Sequence, residues 1–210
     1  MVDHRAAQSL VRNQDDRKTC VGFAVSAAHE WVVSDGGILS PEDAIWAGHR
    51  QGGPAYTEAT TIPLALGGLT THRHASESAW PYGSPPWPSD RPAAASDPSQ
   101  QRDLPSWREL NAPDLQMIEG ELVAGNAVLL SLRVVRSAWR QPGGFVDAPA
   151  GAPAREGHAV LAVGVLDDAP GERVIVKNSW GPTWGVNGYG FVTKGYLDAH
   201  LKGAFVLERV

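Results

Sequence analysis

The chain holds one cysteine and two methionines in 210 residues, and none of its apolar runs is long enough to cross a membrane. With Cys20 alone, no disulfide can form within the chain, so the core must carry the fold. A chain of this length buries roughly 70% of its unfolded surface, enough to fold without crosslinks or metals. The lack of disulfides favours a reducing compartment, and a cytoplasmic location is expected. The opening "MVDHRAAQSLVRNQDD" has no apolar stretch followed by a small-residue cleavage site. The runs "AVLLSL" and "AVLAVGVL" fall far short of the ~20 residues of a membrane helix. Basic residues are also few, 18 Lys and Arg against 23 Asp and Glu, for a net charge of −5. That leaves no broad positive field to draw the protein to nucleic acid or an anionic membrane, and neither partner is expected. A Gly-rich phosphate loop with its lysine is missing, and "THRH", with His72 and His74 but no neighbouring Cys or Asp cluster, reads as a solvated loop. No cofactor and no metal are expected.

What the chain does have is 42% hydrophobic residues, 23 Gly and 8 Trp, a globular composition whose glycines gather near aromatics and suggest clefts and tight turns. From Cys20 to about Ser34, apolar residues fall on most sides, which predicts a mostly buried helix with Thr19 as its cap and "DGG" as its stop. "LSPEDAIWAGHR" predicts a second helix, with Ser40 as cap, Pro41 first and acids in the first turn. A third is expected over "AYTEATTIPLALG", weakened by Pro63. Residues 83–106, rich in Pro, Ser and Ala, read as an extended connector. After a helix in "APDLQMIEGELVAG", the runs "NAVLLSLRVV", "GHAVLAVGVL", "RVIVKNSW" and "GYGFVTK" predict an antiparallel sheet or barrel, and Asp167 and Asp168 a hairpin turn. The fold class is α+β, a helical half followed by a mainly β half, and the cleft between them is the natural site.

A lone Cys in a helical pattern is by default a small buried hydrophobe. Cys20, however, falls in the first turn, where the positive end of the helix dipole favours the nucleophilic thiolate. His158 heads one strand pattern and Asn178 ends another, so antiparallel pairing would bring imidazole and carboxamide together and complete a Cys/His/Asn set.

With those residues in place, the sequence resembles the papain-like cysteine peptidases. "NQDDRKTC" is similar to the family's segment leading to the nucleophile, with the same interval from Gln14 to Cys20. "LSPED" and "QGG" resemble the next helix start and the glycine pair of the substrate groove, and "GGLTTHRHASESAWPYG" the segment ending in Tyr-Pro-Tyr, with Trp80 in the place of the first Tyr. "GHAVLAVGV" followed by "VIVKNSWGPTWGVNGYGFV" is the most specific match, and together these segments cover residues 11 to about 198. The resemblance implies a single two-lobed catalytic domain over 1–210 with the active site in the cleft. The helical lobe would cover about 15–105, and an antiparallel, β-barrel-like lobe about 106–210 plus the N-terminal segment.

The same resemblance implies roles. Cys20 would be the nucleophile, His158 its proton partner, Asn178 the group that orients His158, and Gln14, with the Cys20 N–H, the donor to the oxyanion. Trp180 would cover the Asn178–His158 contact and Trp184 pack beneath the cleft, although each Trp alone also reads as core. Gly52 and Gly53 would form a backbone rail for extended substrate, while Pro54, Ala55 and Ser131 would wall the pocket for the second residue before the scissile bond, and Gly157 would lie at the substrate site.

Three departures stand out. Val21 replaces the family's Trp after the nucleophile, "DDRKT" replaces its Gly-Ser-Cys-Gly-Ser, and only 13 residues precede Gln14. An altered first subsite with Lys18 near its entrance is therefore expected, as is restraint by a partner protein in place of a propeptide. The leading reading is peptide-bond hydrolysis through a thioester acyl-enzyme. An acyltransferase or ligase using the same thioester, and a non-catalytic peptide-binding module, are the alternatives.

Overall fold

In a computed structural model, which describes residues 1–52, 58–83, 90–168 and 171–209, the stretch beginning at Cys20 forms helix α1 (Cys20–Val33). Every residue from Val21 to Val32 is buried, because apolar side chains project on all sides and neighbouring elements cover each of them. Helices α2 (Pro41–Arg50) and α3 (Ile62–His72) pack against α1 and each other. Two glycines permit the close approach: a Cβ at Gly22 would come within 2.6 Å of the Pro41 carbonyl O, and one at Gly68 within 2.1 Å of the Ala47 carbonyl O.

Helix α2 begins as expected, with Ser40 Oγ accepting from the Asp43 N–H at 3.2 Å. The other two starts differ from the sequence reading. Thr19 does not cap α1 with its side chain, because its hydroxyl is bonded to Tyr82 instead. Helix α3 starts later than the expected third helix and runs further, to His72. Thr61 caps it, and Pro63 falls in the first turn, where a missing N–H costs no helical bond. The proline that weakens the sequence pattern therefore helps to start the helix.

The remaining elements are strands β1 (Val2–Asp3), β2 (His74–Ala75), β3 (Gln101–Arg102), β4 (Trp107–Glu109), β5 (Ala127–Val134), β6 (Phe145–Val146), β7 (Glu156–Asp168), β8 (Gly171–Lys177), β9 (Tyr189–Thr193) and β10 (Leu201–Leu207), with helices α4 (Leu115–Val123), α5 (Arg136–Trp139) and α6 (Lys194–His200). One sheet runs β4-β10-β5-β7-β8-β9-β6, with β1 added to β7. It is antiparallel except where β6 meets β9, and among the described residues its end strands β4 and β6 do not pair, so the barrel does not close. Buried runs on β5 and β7 pack against α1, which joins the helical half to the sheet. The described part of the 83–106 connector is not wholly extended: it holds two short 3-10 turns and β3, which pairs with β2.

The expectation of a solvated "THRH" loop is overturned. His74 is fully buried on β2, its Nδ1 lying 3.1 Å from Nδ1 of His29 on α1. The outer nitrogens face backbone carbonyls, His29 Nε2 that of Asp103 at 3.0 Å and His74 Nε2 that of Ser40 at 3.0 Å. His72 is half-buried, edge-on to Trp46 at 4.9 Å. A partner 45 residues away in the chain is what makes burial of His74 possible, and the local sequence carries no sign of it.

Burial holds both histidines below their ordinary value, His29 at about 4 despite the Asp103 carbonyl, and His29 also opposes a charge on His74. The unfolded chain binds these protons near pH 6.5 and the folded chain does not, so the pair's contribution to stability is complete above that pH and is lost as pH falls toward 4. Denaturant titrations are expected to show a loss of the order of 2 kcal/mol per histidine between pH 7 and pH 5. A flat profile over that interval, after correction for the other histidines, would contradict the assignment.

Candidate active site

Strands β7 and β8 run antiparallel with Leu161 opposite Lys177. Continuing that register beyond β8 puts Trp180 opposite His158, and the two rings stack with centroids 4.8 Å apart. His158 Nε2 lies 2.8 Å from Asn178 Oδ1, and the Ser179 backbone N–H donates to the same oxygen at 2.8 Å. A backbone N–H can only donate, so the Asn178 oxygen, not its nitrogen, faces the ring. His158 Nε2 must then carry the proton, which leaves Nδ1 as the nitrogen that can serve the Cys20 thiol, whose pKa the ring lowers.

Cys20 comes from the opposite side, at the first residue of α1. Burial works to raise its thiol pKa, but the hydrogen bond and charge of His158, with the N–H groups of Ala159 and Val21, outweigh it and hold the thiol below its ordinary value. Trp139 is buried with its ring edge-on to His158 at 5.2 Å and 89°, and it stacks on Trp184 at 5.8 Å. Trp184 Nε1 donates to the Trp139 carbonyl O at 2.9 Å. Trp139 and Trp180 thus both contact the His158 ring from the cleft wall, and Trp184 packs against these two tryptophans.

Gln14 is held from several directions. Its backbone N–H donates to the Ser179 carbonyl O at 2.8 Å, its Oε1 accepts from Ser179 Oγ at 2.6 Å, and its Nε2 donates to the Arg17 carbonyl O at 2.6 Å. Nε2 carries two hydrogens, so a second N–H remains without a partner among the described residues. The Tyr82 hydroxyl donates to the Gln14 carbonyl O at 2.8 Å and lies 2.8 Å from Thr19 Oγ1, so one phenol ties down both ends of "DDRKT". Within that loop, the Arg17 guanidinium lies over the Tyr82 ring at 4.7 Å, and it pairs with buried Glu42 and with Glu58.

Gln14, Cys20, Ser131, Gly157, His158 and Trp180 line one cleft of about 840 Å³. The divergent loop also lines it, from Asp15 to Lys18, as does Val21. Asn178 and Trp184 sit behind that wall. Gly52 is exposed after α2 with a φ of 118° and does not line the cleft among the described residues, while Gly53, Pro54 and Ala55 lie outside those residues. Among the described residues no group of three or more His, Cys, Asp or Glu side chains could hold a metal. Ser179, Tyr82, Trp139 and Arg17 are the site residues that sequence reasoning missed. Ser179 was within reach, because it sits in the "NSWG" turn; the others carry no local signal.

The family profile described as papain family cysteine protease matches residues 4–203. Cysteine proteinase 3 of Dictyostelium discoideum is 34% identical over 87 residues, 41% of this chain and 26% of that protein. Pro-cathepsin H of Bos taurus is 49% identical over 43 residues, 20% of this chain and 13% of that protein. The matched stretches therefore span about a quarter or less of these relatives' length. Among solved structures, xylellain, a cysteine protease from Xylella fastidiosa, superposes with a TM-score of 0.82 at 21% identity, covering 100% of this chain and 85% of that one. Digestive procathepsin L 3 of Tenebrio molitor gives 0.77 at 23% identity over 96% of this chain and 68% of that one. At such identities the superpositions speak for the two-lobed fold, whereas the profile spans nearly the whole sequence: the chain belongs to the papain family of cysteine proteases.

Proposed function

We propose that this protein is a cysteine peptidase that hydrolyses peptide bonds through a thioester acyl-enzyme. The observation that carries this reading is the His158 ring, held through Nε2 by Asn178 Oδ1 and lining one open cleft with Cys20, whose thiol pKa it lowers. The Cys20 thiolate attacks the carbonyl carbon of a peptide lying in the cleft, and the carbonyl oxygen takes up negative charge. The free N–H of Gln14 Nε2 and the backbone N–H of Cys20 stabilise that charge. His158, having taken the thiol proton, gives it to the departing amine as the C–N bond breaks and the thioester remains. Water then enters, His158 removes its proton, and the second tetrahedral species collapses to free the carboxylate and the thiolate. Asn178 keeps His158 in one tautomer and orientation throughout, and the tryptophans keep water from competing for that bond. The chemistry asks for no cofactor; the partner is a peptide or protein substrate.

Incubating the protein with a peptide library and identifying the products by mass spectrometry tests the reading. New peptide termini bearing a free carboxylate are expected, and amide adducts with added amines would redirect the assignment to acyl transfer. The depressed thiol pKa supplies a second test that needs no substrate. Alkylation of Cys20 by iodoacetamide is expected to titrate with a midpoint below the ~8.5 of a free thiol. Because the hydrogen bond and charge of His158 lower that value, His158→Ala is expected to move the midpoint up. A midpoint that does not move would remove His158 from its role.

A further inference from the structure

Strands β10 and β5 lose their simple register between Leu201, opposite Leu132, and Gly203, opposite Ser131. Two consecutive residues of β5 therefore face three of β10, and Lys202 is the extra one. Such a bulge leaves its residue unpaired and turns the side chain away from the direction that strand alternation would give it. Here it turns a lysine into the cleft: Lys202 is exposed and lines the cleft beside Gly203, Phe205 and Ser131. No described carboxylate pairs with it. Glu156, the only acid that the sheet side contributes to the cleft among the described residues, is engaged by Arg136. The local surface offers uncharged Ser131, Ala159, Gly203 and Phe205 with one free ammonium.

Geometry says which end of a substrate meets this lysine. The leaving amine must depart over His158, the group that protonates it, toward Trp180 and Arg140. The acyl part must then extend the other way, across β5 toward β10, where Ser131 and Lys202 lie. We propose that Lys202 selects an acidic side chain on the acyl side of the scissile bond, at the second residue before it. The preferred substrates are accordingly peptides with Glu or Asp at that place. This inference rests on the peptidase reading above for the direction of the chain.

The test compares rates of Cys20 labelling by peptidyl fluoromethyl ketones that differ only in carrying Glu or Gln at the second residue, with iodoacetamide labelling measured in parallel. The wild-type protein is expected to react with the Glu reagent roughly 3- to 10-fold faster at low salt, the range of a partly exposed ion pair, and 0.5 M salt should shrink the ratio. Lys202→Met should bring the ratio to about one, and Lys202→Glu should invert it in favour of a Lys-bearing reagent. Equal Glu and Gln rates in the wild type, a preference that survives in both variants, or iodoacetamide labelling without reaction of any peptidyl reagent would each overturn the proposal. Because labelling needs no turnover, failure of the hydrolytic reading shows separately, as acidic-selective labelling without cleavage of the matching peptide.

Discussion

Replacing Cys20 by alanine is expected to lower kcat/KM on any peptide substrate by about 10⁴-fold or more, the scale seen when the nucleophile of a triad is removed. The fold should survive. Cys20 is the first residue of α1, it is only partly buried, and it makes no disulfide. Alanine is the strongest helix former, and the substitution deletes a single sulfur, so the thermal midpoint should move by no more than a few degrees. Because the chain contains no other cysteine, the variant should also take up no iodoacetamide, and mass spectrometry reads this directly. Turnover that persists in a folded variant would refute Cys20 as nucleophile. A wild-type protein that neither cleaves peptides nor labels at Cys20 would instead favour the non-catalytic binding module.

Cys20, His158 and Asn178 were legible because their context is local: a polar loop running into a buried helix, the head of one apolar strand, the tail of the next. The sheet then needs only antiparallel pairing of β7 with β8 to bring the last two together, and that pairing is what the apolar runs predict. Tyr82 and Trp139 were not legible, since each acts on the site from far away in the chain. The Tyr82 hydroxyl reaches back 68 residues to Gln14, and Trp139 reaches forward 19 residues to edge the His158 ring. Nothing in "AWPYG" or "SAWRQ" marks one aromatic as a clamp and another as plain core. His74 failed for the same reason in the opposite direction, because a polar setting hides a buried partner on α1. Pro63 failed through position alone, as one residue more or less decides whether proline starts a helix or ends it. The loop "DDRKT" carried its information in departure from the family pattern, and the structure puts that departure on the cleft wall.

Gln14→Ala is expected to cost roughly 10²- to 10³-fold in kcat with little change in KM, the usual loss when one oxyanion donor is removed. The effect belongs to kcat because charge on the substrate oxygen appears only as the thiolate attacks, so the lost bond is one the ground state does not make. Which N–H does the work depends on the neighbours of Gln14. The Arg17 carbonyl can only accept, so its contact at 2.6 Å fixes which end of the carboxamide is nitrogen and takes one of the two hydrogens, leaving the other, while Ser179 Oγ donates to Oε1 at 2.6 Å and holds the group in place. Ser179→Ala should therefore lower kcat by about tenfold by letting the carboxamide reorient, a hydrogen bond's worth of free energy. In the Gln14→Ala background the same change should cost almost nothing, because Ser179 then has no carboxamide to orient. Removing Gln14 also leaves buried Ser179 Oγ and the Arg17 carbonyl without their partner, which should cost about 1–3 kcal/mol of stability. Denaturant titration reads that loss independently of rate. Equal and additive losses from Ser179→Ala in both backgrounds would mean that Ser179 acts on the site by another route, whereas a Gln14→Ala variant with unchanged kcat would detach Gln14 from the oxyanion.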